Sequence, residues 1–194
     1  MRYRLRCLSA LDPRELNERY NALPVDARLH PPQSATPVRM AAELLLRELL
    51  SEYTGEQAER FRFLRTPLGK PYAENAPQFN LSHSGQWLLC AVGDMPLGVD
   101  IETPRTVSPS LLRRVCTPSE LALIGDDAER FLRVWTAKEA YLKYLGTGIR
   151  GDLRKVETVH DGAIAFPKLR CLQMHTESYT ATIVFAENKD RDAS

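Results

Sequence analysis

Trp87-Leu88-Leu89-Cys90-Ala91-Val92-Gly93-Asp94-Met95-Pro96-Leu97-Gly98-Val99-Asp100-Ile101-Glu102 is the stretch whose reading decides the fold. Residues 87–92 and 97–102 are the clearest strands of the chain, joined through Gly93-Asp94-Met95-Pro96. Side chains alternate along a strand, so Asp100 and Glu102 share one face while Val99 and Ile101 take the other. The apolar face makes this a strand near the centre of the fold. Two carboxylates on its opposite face then need a compensating positive charge, which a Mg²⁺ ion would supply.

Upstream, residues 1–9 read as a strand at a sheet edge, and 14–23 as a short helix capped by Asp12 with Pro13 at its start. Thr36 and Pro37 open a helix running to about residue 53, with Met40, Leu44, Leu45, Leu46, Leu49 and Leu50 on its apolar side. Short strands are expected at 61–64 and 79–81, around the turn Thr66-Pro67-Leu68-Gly69-Lys70-Pro71. Downstream, Thr103-Pro104-Arg105 breaks the pattern and suggests a boundary between 1–103 and 104–194. Helices are expected at 109–116, 118–124 and 128–144, the last ending at Gly146 with a second glycine at Gly148. Strands follow at 155–159, 163–165, 169–174 and 179–186, with fraying over 189–194. Helices mixed with antiparallel strands in both halves argue for an α+β fold rather than a parallel α/β sheet.

Of 194 residues, 43% are hydrophobic and 26% charged, as in an ordinary globular protein. A net charge of +1 gives no global field for nucleic acid or an anionic membrane. The N-terminus lacks the apolar core of a secretion signal, and no apolar run approaches the roughly 20 residues of a membrane span. The four cysteines, Cys7, Cys90, Cys116 and Cys171, match no metal or redox spacing and are expected as reduced, mostly buried thiols. A cytoplasmic protein without membrane or nucleic-acid partners is expected.

The chemistry concentrates in three further blocks. In Trp135-Thr136-Ala137-Lys138-Glu139-Ala140-Tyr141-Leu142-Lys143, Glu139 and Lys143 lie four apart on one helix face, a spacing also common in surface ion pairs. Trp135, Leu142 and Leu145 are expected to form the apolar side of this helix. If strand 97–102 meets this helix, three carboxylates and an ammonium converge, as a divalent cation holding a phosphate ester requires. Phe79-Asn80-Leu81-Ser82-His83-Ser84 offers Ser82 and His83 for anion contact, since no Gly-x-Ser-x-Gly turn supports a hydrolytic triad. Gly69-Lys70-Pro71 puts a cation on a turn that is not a phosphate-binding loop.

Together, Gly69-Lys70-Pro71, Phe79–Ser84, the Gly98–Glu102 block and Trp135-x-x-Lys138-Glu139-Ala140-x-x-Lys143 resemble the 4′-phosphopantetheinyl transferases, in the monomeric, double-lobed type. The resemblance spans residues 69–148 and is loose outside them. It implies two similar α+β lobes related by a pseudo-twofold, with the active site in the cleft between them. It also implies transfer of the phosphopantetheine arm of coenzyme A to a serine of an apo acyl or peptidyl carrier protein, releasing 3′,5′-ADP. By resemblance, Asp100, Glu102 and Glu139 hold Mg²⁺, with Mn²⁺ as a substitute. Glu139 is also the general base, and Lys143 contacts the pyrophosphate and protonates the leaving group. Lys70, Ser82 and His83 hold the nucleotide end, with Arg39, and more weakly Arg28, as candidates for the 3′-phosphate. Leu112, Arg113, Arg114 and Val115 are candidates for meeting the acidic carrier. Two other readings stay open: a catalytically silent carrier-binding relative, and a metal-dependent nucleotide phosphodiesterase.

Overall fold

The computed structural model describes residues 1–30, 32–148 and 152–187; the fraying expected at 189–194 lies outside the described residues. The elements run β1 (Arg2–Cys7), α1 (Pro13–Ala22), α2 (Pro37–Thr54), β2 (Phe63–Arg65), β3 (Pro71–Ala73), β4 (Gln78–Ser84), β5 (Trp87–Gly93) and β6 (Leu97–Glu102). Then come α3 (Pro109–Val115), α4 (Pro118–Ile124), α5 (Ala128–Leu145), β7 (Val159–His160), β8 (Ala163–Ile164), β9 (Leu169–His175) and β10 (Thr180–Ala186). This is the expected α+β mixture.

Two antiparallel three-stranded sheets dominate, in the orders β1-β5-β4 and β6-β10-β9, with β1 on an edge as expected. The alternation along β5 explains how they stack. Leu88, Cys90 and Val92 pack under α2 with Leu45, Leu46, Leu49, Leu50 and Phe79. From its opposite face Leu89 and Ala91 meet Val99, Ile101, Ala181 and Ile183 of the second sheet. Each fully buried leucine contributes roughly 1.5–3 kcal/mol, so these layers hold the strands in one register. The other face of the second sheet, carrying Gly98, Asp100 and Glu102, turns toward α5.

The helix ends follow local chemistry. The Thr36 side chain accepts from the Arg39 N–H at the start of α2, and Gly55 ends it at φ 79°. Asp127 caps α5 by accepting from the Glu129 and Arg130 N–H groups, and Gly146 ends it at φ 71°. Where α5 crosses β6 the backbones nearly touch. A Cβ added at Gly98 would sit 2.1 Å from the Ala140 carbonyl oxygen and 2.3 Å from the Tyr144 nitrogen. Only glycine permits that approach, and the approach brings the carboxylates of β6 to the helix.

Several local expectations change. Pro71–Ala73 forms a strand with Phe63–Arg65 instead of ending as a turn. Most of 155–159 is not a strand: Leu153–Lys155 is a 3₁₀ turn capped by Asp152, and pairing starts at Val159. By hydrogen bonding, the first sheet ends at Gly93 and the second begins at Leu97. Leu145 is exposed and is not part of the packed side of α5. Of the four cysteines only Cys90 and Cys116 are fully buried; all four are free thiols. Among the described residues, no helix is long and apolar enough to cross a membrane.

Candidate active site

Because Gly98 lets α5 lie against β6, the two motifs meet. Lys143 Nζ lies 2.7 Å from Asp100 Oδ1 and donates to Ser82 Oγ at 2.8 Å. Ser82, on neighbouring β4, donates its own proton to Asp100 Oδ1 at 2.8 Å. Two residues on, the pattern repeats. Ser84 donates to Glu102 Oε2 at 2.9 Å, and Trp135 Nε1 donates to Glu102 Oε1 at 3.2 Å. Arg105 approaches the same oxygen at 3.7 Å while lying over the Trp135 ring. Asn80, one step earlier on β4, accepts from the Val99 N–H at 2.9 Å. Three alternate residues of β4 thus fasten it to β6 through side chains.

Two oxygens are left over. Asp100 Oδ2 and Glu139 Oε1 are buried without a hydrogen-bond partner. An unpaired buried carboxylate oxygen is costly in a low dielectric, so this pair stands out. The electrostatics agree. Burial pushes the Glu139 carboxyl up to about 7, reinforced by the charges of Asp100 and Glu102 and opposed by Lys143 and Arg105. Burial also raises Asp100, against the pull of Lys143 and Ser82. The cluster carries more negative charge than Lys143 alone offsets.

Hard oxygen donors, two with unspent lone pairs, fit a divalent cation such as Mg²⁺. The donors are not closed into a cage, and among the described residues no group of three His, Cys, Asp or Glu side chains is placed to hold a metal as it stands. Lys143 occupies one Asp100 oxygen, and Ser84 and Trp135 engage Glu102.

Beside the cluster opens a cleft of about 260 Å³, lined by Leu29, His30, Arg65, Leu68, Lys70, Leu81 and Lys143 among others. His83 turns outward while Ser82 turns in, as strand alternation requires. Desolvation, then the cations Lys143 and Arg39, lower the His83 pKa. Arg39 is exposed and donates to the Ser34 carbonyl at 2.9 Å. His30, which sequence reasoning missed, lines the cleft with Arg65, and its pKa is lowered first by burial and then by the Arg65 charge. Nothing in its sequence neighbourhood marks it, since only folding brings it to Arg65.

Other expected residues go elsewhere. Arg28 donates to the Leu23 and Asn21 carbonyls at the end of α1 and lies over the Tyr20 ring. Lys70 lines the cleft, but its ammonium faces backbone carbonyls. On α3, Val115 is buried with Cys116, Ile124 and Phe131, whereas Arg113 and Arg114 are exposed and Leu112 half-buried. Trp135, read only as apolar, and Ser84 and Arg105 were missed as partners of Glu102. The spacing offered a signal: Ser82 and Ser84 alternate as Asp100 and Glu102 do.

Comparison with known proteins bears on this geometry. Residues 96–191 match the family model described as 4′-phosphopantetheinyl transferase superfamily, and residues 35–94 match one described as 4′-phosphopantetheinyl transferase, N-terminal. The chain is 39% identical over 126 residues to the 4′-phosphopantetheinyl transferase HetI of Nostoc sp., covering 58% of this chain and 53% of that protein. Against the 4′-phosphopantetheinyl transferase psf-1 of Bacillus pumilus it is 35% identical over 117 residues, 57% of this chain and 50% of the other. Against Sfp of Bacillus subtilis it is 30% identical over 117 residues, with 57% and 52% covered. The match spans about half the length of these relatives.

Proposed function

Since the chain belongs to the 4′-phosphopantetheinyl transferase superfamily, we propose that it moves the phosphopantetheine arm of coenzyme A onto a serine of an apo carrier protein. The observation that carries this reading is the pair of unpartnered buried oxygens, Asp100 Oδ2 and Glu139 Oε1, beside Lys143. A fold that needed only stability would have paired them.

In the proposed reaction a bond forms between the carrier serine Oγ and the phosphorus of the arm. The pyrophosphate P–O bond breaks, and 3′,5′-ADP leaves. Glu139 takes the serine proton, with its buried, unpartnered Oε1 as the acceptor. Lys143 donates to a pyrophosphate oxygen as charge builds on the leaving group. Ser82 keeps Lys143 and Asp100 in register, because it touches both. Asp100, Glu102 and Glu139 are the residues that would hold Mg²⁺ (or Mn²⁺), and the bound ion supplies charge neutralisation at the pyrophosphate. Arg39 and Arg65 carry the positive charge proposed for the nucleotide phosphates, with His83 and His30 beside them as neutral hydrogen-bonding groups and the cleft between the two halves as the proposed coenzyme A site.

The carrier is proposed to dock over α3, with Arg113 and Arg114 meeting its acidic surface and Leu112 the apolar contact. Val115 supports the helix from beneath. In the Arg113→Glu/Arg114→Glu variant, carrier affinity should fall about tenfold at unchanged coenzyme A affinity; unchanged carrier affinity would remove α3 from the interface.

The deciding experiment incubates the protein with coenzyme A, Mg²⁺ and a panel of apo carriers and follows intact carrier mass. A gain of one phosphopantetheine, abolished by EDTA or by serine-to-alanine substitution in the carrier, is the expected result. Coenzyme A cleavage without a carrier would point to a phosphodiesterase. Carrier binding without mass gain would point to a silent relative.

A further inference from the structure

Lys70 sits on the turn between β2 and β3, far in sequence from α5, yet its ammonium meets the end of that helix. Its Nζ donates to the Lys143 carbonyl at 2.7 Å and approaches the Tyr144 carbonyl at 3.4 Å. A third acceptor, at 3.4 Å, is the carbonyl of Leu97, the first residue of β6. Among the described residues, this ammonium's hydrogen-bond acceptors are backbone carbonyls. The last turn of a helix leaves carbonyls without intrahelical donors, and its negative dipole end favours a cation. Gly146, in its left-handed conformation, leaves room for the lysine stem: a Cβ there would come within 3.3 Å of Lys70 Cδ. One side chain thus joins the backbone of Lys143 to the strand that carries Asp100 and Glu102.

We propose that Lys70 is a positioning residue, clamping the C-terminal turn of α5 to the start of β6 so that Lys143 and Asp100 meet at the right separation. This differs from a direct hold on the nucleotide, the role that resemblance implied. The geometry favours the clamp because a ligand phosphate would have to pull the ammonium from three carbonyls. The cost would fall on the catalytic helix itself. The kinetic consequence rests on the transferase reading; the structural one does not.

The test compares wild type with Lys70→Met and Lys70→Arg. The amides of Gly146 and Thr147 donate to the Leu142 and Lys143 carbonyls, so they report the clamped turn. In Lys70→Met their hydrogen exchange should quicken about tenfold, with the amides of 134–138 unchanged and Lys70→Arg close to wild type. The rate constant kcat should fall about tenfold while KM for coenzyme A moves less than about threefold, equally for coenzyme A and its 3′-dephospho form. Unchanged exchange at 146 and 147 would overturn the clamp. So would a KM penalty that disappears with the 3′-dephospho form, which would make Lys70 a phosphate contact. Lys70→Gln serves in the same comparison if Lys70→Met is too unstable to purify. If the wild type proves inactive, the exchange measurement still decides, and only the transferase reading fails.

Discussion

Lys138 and Glu139 are neighbours on α5, yet they serve two unlike polar clusters. Lys138 is almost fully buried, and its Nζ reaches Glu120 Oε2 at 2.7 Å and the Val115, Leu153 and Val156 carbonyls at 2.7–3.1 Å. Glu120 in turn accepts from Thr117 N–H, Thr158 N–H and Thr158 Oγ1. Every strong donor there has an acceptor. One residue on, and so about 100° around the helix, Glu139 keeps an unpartnered buried oxygen beside another on Asp100. The first cluster is closed and ties α3, α4 and the Leu153–Lys155 turn to α5. The second leaves two acceptors unspent beside Lys143, the member of the cluster that lines the cleft. Closed networks hold a fold together; open ones with the same chemistry are left for something that arrives.

On stability, the largest effect is expected at the closed cluster. Lys138→Met leaves Glu120 as a buried carboxylate without its cation and should cost about 3–5 kcal/mol. Urea denaturation measures it. Adding Glu120→Gln should recover part of the loss, because the stranded charge is gone. A loss below about 1 kcal/mol in Lys138→Met would mean that the cluster is not the staple its bonding suggests.

Much of this contrast could be read from the chain, and part could not. Asp100, Glu102, Glu139 and Lys143 were legible because strand alternation and helix spacing are local rules. The capping signals Asp12-Pro13 and Thr36-Pro37 marked two helix starts for the same reason. The role of Lys138 was hidden: a lysine beside a glutamate in a helix looks solvated until folding brings Glu120 from α4. Trp135 was read by its ring and not by its N–H, which finds Glu102 only when β6 docks. Lys70 and His30 depend on long-range placement of backbone carbonyls or other cations, and Arg28 on the chain folding back over the end of α1, for which sequence carries no periodic signal. The short strand β3 was missed because Pro71 reads as a turn, although an edge position tolerates it.

A smaller effect should come from pH. The Glu139 carboxyl is raised from 4.5 to about 7 in the fold. Between those values the folded protein binds more protons than the unfolded chain. The metal-free protein is therefore most favoured below about pH 4.5 as far as this group is concerned, and it loses that stability as pH rises through about 7. Scanning calorimetry between pH 5 and 8 should show the wild-type midpoint falling by a few degrees relative to that of Glu139→Gln, as about 1 kcal/mol produces. Glu139→Gln should flatten the trend, and Mg²⁺ should oppose it at the upper end, where the ligands are ionised. His30 and His83, whose pKa values the fold lowers, contribute the opposite trend, so the decisive reading is the difference between the two proteins: equal slopes for wild type and Glu139→Gln would mean that Glu139 has a partner and the cluster is closed after all.

The smallest stability effect is expected at Asp100, and it is the one that separates the two clusters. Asparagine keeps an acceptor for Lys143 and Ser82 and removes a like charge from beside Glu139. Lys143, partly exposed, can be solvated when its ion pair is lost. Asp100→Asn should therefore change stability by no more than about 1 kcal/mol in either direction. Carrier modification, in contrast, should fall at least about a hundredfold, since the lost charge acts where the leaving group is stabilised. A loss of about 3–5 kcal/mol on the scale expected for Lys138→Met would erase the distinction. Asp100 would then be a second structural ion pair, and its unpartnered oxygen would need another explanation. Unchanged stability with unchanged activity would be equally damaging, because it would leave a buried carboxylate with an unspent oxygen that neither the fold nor the chemistry requires.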